Sequence, residues 1–182
     1  MTRFRQKSAP RPLDSNHLES LALHYAGRYA TSRAKLATYL KRKLRERGWD
    51  SEGPPPVDAL VERMAALGYV DDAAFATARG TALTRRGYGA RRVVQELDIA
   101  GIEEADRDTA LSDTRQEQWQ AANNFARRRR VGPYATQPLA REDRQKQIAA
   151  FVRAGHDFAT AALWVDSPPD EFPPEPEGQE QE

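Results

Sequence analysis

The residue types that most often bind metals or act as nucleophiles are scarce in this chain of 182 residues. It has three histidines and no cysteine, which excludes disulfides, thiolate metal sites and cysteine catalysis. His17 and His24 are seven residues apart on a predicted helix, but no acidic residue follows either at three or four positions. His156 directly follows a glycine that ends a predicted helix. These positions favour structural, packing histidines over a metal site.

Two further motifs have a chemical and a structural interpretation. Asp71 and Asp72 could supply a carboxylate pair, but adjacent residues at a helix start point apart, so a helix cap is favoured. Gly87-Tyr88-Gly89 resembles part of a phosphate-binding loop, yet no strand precedes it and no Gly-Lys-Ser/Thr follows. A turn between two helices is favoured there. No group of residues is placed for catalysis, so we expect neither an enzyme nor a bound metal or cofactor.

Basic residues are the strongest candidates for binding chemistry. Lys and Arg (28) nearly balance Asp and Glu (27), but they cluster, and such patches favour a polyanion or an acidic protein surface as partner. A single cluster could equally be a solvated helix face; recurrence along the chain favours a binding surface. The candidate residues are Lys35, Lys41, Arg42, Arg45, Arg85, Arg86, Arg91, Arg92, Arg127, Arg128, Arg129, Arg130 and Arg144, with Arg141 and Lys146 beside the last.

The three tryptophans could act as stacking platforms for nucleobases. Trp49 follows a predicted helix end, and Trp119 lies on an apolar stripe with Phe125. Packing in the core is therefore the favoured interpretation for them.

Helical periodicity dominates the elements that must position these residues. Apolar residues recur every three or four positions, as in Leu36, Leu40 and Leu44, and alternating strand patterns are absent. Nine helices are predicted between His17 and Asp166, the fifth over about 90–100 and the weak sixth over about 103–111. Three consecutive prolines, 54–56, form a stiff linker before the third helix.

A repeat organises the helices. Gly48, Gly101 and Gly155 recur at intervals of 53 and 54 residues, each four positions after an apolar residue. This predicts an all-α, elongated and curved array of three tandem three-helix units, over residues 17–68, 69–113 and 114–166.

The two ends of the chain have different compositions. Residues 1–16 predict a flexible basic arm, and residues 167–182 a disordered, acidic, proline-rich tail. The tail could compete with the partner for the basic surface. No apolar run is long enough to cross a membrane, no secretory signal is evident, and a cytoplasmic monomer is expected.

The chain resembles the RecX family, the regulatory proteins of the RecA recombinase. The signature begins Gly68-Tyr69-Val70-Asp71-Asp72 and continues through Phe75-Ala76 and Arg79. Its further matches are Arg86, Gly89, Arg92-Val93, Glu96-Leu97 and Gly101-Ile102, with Ser32, Leu36, Leu40, Lys43-Leu44 and Arg47-Gly48-Trp49 upstream. The likeness is good over about 21–102 and weaker over 103–166. The chain departs from it in lacking a basic residue just before Gly101.

The resemblance implies a cytoplasmic helical protein that binds in the groove of the RecA–single-stranded DNA filament. There it would modulate RecA, mainly by inhibiting ATP hydrolysis, strand exchange and co-protease activity. The alternative is a helical-repeat protein that binds single- or double-stranded DNA directly, without RecA.

Overall fold

Every regular element of the chain is helical in a computed structural model that describes residues 11–111, 115–137 and 139–176. Within these ranges the only β-type pairing is an isolated bridge between Leu13 and Trp49. The all-α prediction is therefore confirmed. The helices are α1 (Ser15–Arg28), α2 (Arg33–Arg47), α3 (Val57–Ala66), α4 (Asp72–Arg85), α5 (Ala90–Ile99), α6 (Glu104–Ala110), α7 (Arg115–Arg129), α8 (Arg141–Arg153) and α9 (Phe158–Asp166), with a short 3₁₀ helix at Gly132–Tyr134.

The chain divides into two units, Met1–Asp72 and Ala73–Glu182. In the first unit, α1, α2 and α3 enclose one apolar core. Its central residues are Leu18, Leu36, Leu40 and Met64, none of which is exposed to solvent. Asp14 and Ser32 cap α1 and α2, because each side-chain oxygen accepts an amide hydrogen from the first turn of its helix.

The end of the predicted flexible arm belongs to this core. Leu13 is completely buried, its N–H donates to Gly48 O (3.0 Å), and its carbonyl accepts from Asp50 N (2.8 Å). Burying a leucine contributes about 1.5–3 kcal/mol, which offsets the backbone entropy lost on ordering about one to two residues. The placing of residues 11–16 in a mobile arm was therefore wrong, whereas residues 1–10 lie outside the described part.

Asp72 has a different partner from the one predicted. It is the first residue of α4, but its buried carboxylate accepts the backbone N–H of Arg33 at 2.9 Å and lies 3.4 Å from the Arg33 guanidinium. It thus stabilises the N-terminus of α2, 39 residues earlier in the chain.

The second unit has two apolar cores that share Tyr88. One is built around Phe75, Leu83, Val93 and Leu97. The other contains Phe125, Phe151 and Trp164, with Trp119 packed against it. Tyr88, in the turn between α4 and α5, packs against both cores.

A backbone joint connects the start of α5 to the end of α8. Gly89 N–H donates to Ala154 O (2.9 Å), and Arg91 N–H donates to Gly155 O (3.3 Å). A Cβ on Gly89 would lie 2.5 Å from the Gly155 carbonyl, and one on Gly155 would lie 2.4 Å from Arg92 N. Glycine at both positions is what permits this approach, and the first-turn amides of α5 satisfy carbonyls that α8 leaves unpaired.

The predicted disordered tail is partly folded. Ser167 Oγ donates to Leu163 O (2.8 Å), Asp170 N–H donates to Pro133 O (2.9 Å), and the Phe172 ring meets Tyr134 edge-on at 5.3 Å. The prediction of disorder was therefore wrong for 167–176, because aromatic contact holds this stretch on the 3₁₀ helix. Residues 177–182 lie outside the described part.

Candidate polyanion-binding surfaces

The turn after α4 and the end of α7 form one basic surface in the second unit. Arg128 Nη1 donates to Arg86 O at 2.6 Å, and Asn124 Nδ2 donates to Arg85 O at 3.4 Å. Arg127 Nη2 donates to Asn124 Oδ1 at 3.1 Å. Two clusters that are about forty residues apart in sequence are therefore neighbours. We call Arg85, Arg86, Arg127 and Arg128 the elbow patch.

Aromatic rings orient the centre of the elbow patch. The Arg128 guanidinium carbon lies 5.5 Å from the ring centres of both Tyr88 and Phe125. Cation–π contact of this kind contributes about 0.5–1 kcal/mol at exposed sites and restricts the side chain. Arg129 and Arg130 extend the exposed basic surface beyond Arg128.

Gly87 allows the turn that carries the patch. Its φ is +83°, a left-handed conformation that glycine adopts without strain. A Cβ there would lie 2.7 Å from Phe125 N, so the turn also lies directly on α7. The interpretation of this glycine motif as a turn between helices is confirmed, and the contact with α7 adds a packing role.

His156 supports the same turn from below. It is 3% exposed, its ring contacts Phe125 and Phe151, and its Nε2 lies 3.1 Å from Gly87 O. Because a carbonyl only accepts hydrogen bonds, Nε2 carries the proton. Burial lowers the pKa of His156, so the neutral ring is favoured. The predicted packing role of this histidine is confirmed.

The candidates of the first unit share one side of α2. At 100° per residue, Lys35, Lys41, Arg42 and Arg45 fall within roughly a third of the helix circumference, away from the buried leucines. Lys41 Nζ lies 3.3 Å from Asp58, and Arg42 lies 3.7 Å from Glu46. Such exposed ion pairs contribute about 0–1 kcal/mol, so a polyanion can displace them.

Two of the predicted contact residues are engaged inside the second unit. Arg92 Nη2 donates to Glu96 Oε1 (2.7 Å), while Arg79 donates to the other oxygen (2.9 Å), and the hydrogen bond from Arg79 is the main cause that lowers the pKa of Glu96. Arg144 forms a two-point contact with Asp166, at 2.6 Å from both Nε and Nη2. That contact lowers the pKa of Asp166 and raises that of Arg144. Arg91 is exposed instead, as are Arg141 and Lys146, although Lys146 lies 2.9 Å from Asp143.

A cleft of about 510 Å³ opens beside the elbow patch. Its lining includes Arg85 and Arg91, the acidic residues Glu117 and Asp157, and neutral side chains such as Thr84. Asp157 is committed to capping α9, since it accepts from Thr160 N and Oγ1 at 2.7 Å each. Among the described residues, no three His, Asp or Glu side chains come together as a metal site would require.

The tryptophans are packed against the apolar cores and are therefore poorly placed to stack on nucleobases. Trp164 is 1% exposed and lies 5.3 Å from Trp119, while Trp49 packs on the first core and donates to Gly53 O at 2.9 Å. The prediction that tryptophans pack in the cores is confirmed. Tyr25, Tyr29 and Tyr39 are not among the predicted contact residues, although the four-residue spacing of the first two places them on one helix face.

Across the described ranges, none of the helices combines the length and the apolar character needed to cross a bilayer.

Comparison with known proteins gives a consistent family. The chain is 33% identical over 168 residues to the regulatory protein RecX of Myxococcus xanthus, covering 88% of this chain and 90% of that protein. It is 32% identical over 132 residues to the regulatory protein RecX of Agrobacterium fabrum, covering 70% of each. No protein-family model matches the chain.

Solved structures agree on the fold. A crystal structure of a regulatory protein RecX superposes with a TM-score of 0.63 at 21% identity, over 84% of this chain and 74% of the other. RecX from Lactobacillus salivarius superposes with a TM-score of 0.59 at 17% identity, over 80% and 90%.

Proposed function

Because the chain belongs to the RecX family, we propose that it is a non-enzymatic regulator that binds the RecA–single-stranded DNA filament and inhibits RecA. The activities lowered would be ATP hydrolysis, strand exchange and the co-protease reaction. We expect it to act in the cytoplasm as a monomer, without metal or cofactor.

The convergence of arginines in the elbow patch carries this proposal. Four exposed arginines from two distant segments meet here, because Asn124 and Arg128 of α7 donate to the backbone carbonyls of Arg85 and Arg86 in the turn. Several preorganised cations on one surface suit a regular array of phosphates or carboxylates, as a nucleoprotein filament presents. The basic face of α2 would supply a second contact in the first unit.

We further propose that the three-helix units predicted from the glycine repeat are the building blocks of this chain. Three apolar cores, two of which share Tyr88, support this division. The second helices of the second and third three-helix units, α5 and α8, also end alike: Ile102 N–H donates to Leu97 O, and His156 N–H donates to Phe151 O, each just after the repeated glycine. An array of such units would distribute the basic contacts along a filament.

The test is a RecA ATPase assay on single-stranded DNA with increasing amounts of this protein. Wild-type protein should lower the rate of ATP hydrolysis. The double variant Arg85→Gln/Arg127→Gln should need about five- to tenfold more protein for half-inhibition, since each exposed ion contact contributes up to about 1 kcal/mol.

The matched control is Arg63→Gln/Arg153→Gln, which removes the same charge from exposed positions outside the candidate set. Equal loss in both double variants would mean that net charge, not the elbow patch, is responsible. A wild-type protein that does not lower the rate of ATP hydrolysis by RecA would contradict the proposed function. Salt-sensitive binding to bare DNA combined with no inhibition of RecA would instead favour the alternative, a direct DNA-binding protein.

A further inference from the structure

Three tyrosines form a row on the first unit, at the end of α1 and the middle of α2. The rings of Tyr25 and Tyr39 are stacked, with centres 4.1 Å apart and planes 15° from parallel. Tyr29 continues the row at 5.3 Å from Tyr25 with its plane tilted by 50°. Tyr29 is 51% exposed, so it leaves an aromatic surface in contact with solvent. We call these three residues the tyrosine row.

Positive charge surrounds the tyrosine row. The Arg28 guanidinium carbon lies 5.8 Å from the Tyr29 ring centre, and Arg42 and Lys43 lie 5.6 and 6.0 Å from that of Tyr39. With His24, the row and these α2 cations line an open groove of about 400 Å³. That volume is within the range of about 300–1,000 Å³ typical of ligand sites.

We propose that the tyrosine row binds single-stranded DNA by stacking an unpaired base on Tyr29 while Arg28, Arg42 and Lys43 contact the adjoining phosphates. Exposed aromatic rings with flanking cations are the combination that single-stranded nucleic acid requires, since every base offers a flat face and every phosphate a charge. A cationic ligand is disfavoured by the three resident cations. A duplex is disfavoured because its bases are already stacked on one another.

One carboxylate opposes this binding. Glu46 lies 2.7 Å from Lys43 Nζ and 3.7 Å from Arg42 Nη1, and the hydrogen bond from Lys43 is the main cause that lowers its pKa. Glu46 therefore stays ionised at neutral pH and neutralises part of the local charge. Its removal should strengthen DNA binding, which gives the proposal a variant with a gain of affinity.

The proposal deepens the proposed function and rests on it for one point only, that the filament is where the protein would meet single-stranded DNA. Its test omits RecA, so failure here and failure of RecA inhibition are separate results.

The experiment measures fluorescence anisotropy of two labelled 20-residue strands with the full chain at low salt. One strand is oligo-dT; the other has the same phosphates but abasic sugars. Wild-type protein should bind oligo-dT about tenfold more tightly than the abasic strand. The stacking of a base on an aromatic side chain is strong enough to account for a difference of this size. Tyr29→Leu should abolish that preference, and Tyr29→Phe, which keeps a ring, should retain it.

Tyr69→Leu is the matched control, because Tyr69 is likewise half exposed in the first unit but lies outside the tyrosine row. It should leave the preference unchanged, whereas Glu46→Gln should tighten binding to both strands by severalfold. Three results would overturn the proposal: equal wild-type affinity for the two strands, loss of preference in Tyr29→Phe as in Tyr29→Leu, or no binding to either strand. Tighter binding to a duplex of the same length would also overturn it.

Discussion

Gly155 is the residue on which the backbone joint of the second unit depends most. Its φ is +98°, and an added Cβ would meet Arg92 N at 2.4 Å and Gly89 O at 2.7 Å. These are main-chain atoms, so no side chain can rotate away to make room. Strain and overpacking therefore act together at this position.

We predict that Gly155→Ala lowers the free energy of unfolding by about 2–4 kcal/mol. Gly27→Ala is the comparison, because that glycine lies inside α1 with no atom within 4 Å of an added Cβ. It should raise stability by about 0.5–1 kcal/mol. Urea unfolding followed by circular dichroism measures both, and an unchanged midpoint for Gly155→Ala would contradict the joint.

His156 predicts a pH dependence of stability. Its folded pKa is lowered from the ordinary value of 6.5, mainly by burial. As pH falls, His156 therefore takes up a proton in the unfolded chain before it does so in the folded chain. Its contribution to the free energy of unfolding is complete above about pH 6.5 and is lost progressively below that pH. The slope is at most about 1.4 kcal/mol per pH unit for one proton.

The measurement is urea unfolding at pH 7.5, 6.5 and 5.5, for the wild type and for His156→Gln, whose amide can still donate to Gly87 O. In the variant, the free energy of unfolding should depend much less on pH between 5.5 and 7.5 than it does in the wild type. Carboxylates with lowered pKa values, such as Asp157 and Asp166, lose their contributions at lower pH and do not interfere. Parallel slopes in the two proteins would rule out His156 as the cause.

At the scale of secondary structure, the cap on α2 is assembled from two parts of the chain. Ser32 accepts from Lys35 N at 3.2 Å, and Asp72 accepts from Arg33 N at 2.9 Å. Two first-turn amides are therefore satisfied, one locally and one by a residue far away in sequence.

We predict that Asp72→Ala costs about 1–2 kcal/mol of stability, since it removes a cap and the partner of a charged side chain. Glu62→Ala provides the control: Glu62 also contacts Arg33, at 3.5 Å, but its side chain is 69% exposed. That change should stay within about 0.5 kcal/mol. Similar effects of both substitutions in thermal unfolding would show that Asp72 acts only as a surface charge.

Most of the secondary structure can be predicted from local sequence patterns. The contacts that could not be predicted have one cause in common. Leucine stripes and terminal glycines predicted the helices to within a few residues, because periodicity and helix stops are local properties. Three contacts join segments that are distant in sequence: the contact of Asp72 with α2, the bridge at Leu13, and the packing of Phe172 on Tyr134. No spacing within a segment encodes such a meeting. For the same reason, the arginines of the elbow patch were predicted as contact residues but not as neighbours, and the stacking of Tyr39 on Tyr25 was not predicted.

At the scale of the whole molecule, the glycine repeat predicts an elongated array. A compact protein of 182 residues would have a radius of gyration of about 16 Å. We predict a value above about 20 Å for the monomer in small-angle X-ray scattering. A value near 16 Å would mean that the units fold together into one globule, and the filament-spanning arrangement in the proposed function would lose its basis.

At the joint between α5 and α8, main-chain groups hold the two helices together while the neighbouring arginine side chains carry the surface charge. Its contacts are made by main-chain N–H and C=O groups of Gly89, Arg91, Ala154 and Gly155. The arginine side chains beside it contribute none of the hydrogen bonds that hold the joint. Substitutions that change the charge at Arg85, Arg86 or Arg91 should therefore leave these main-chain hydrogen bonds intact, whereas a side chain at Gly89 or Gly155 would not.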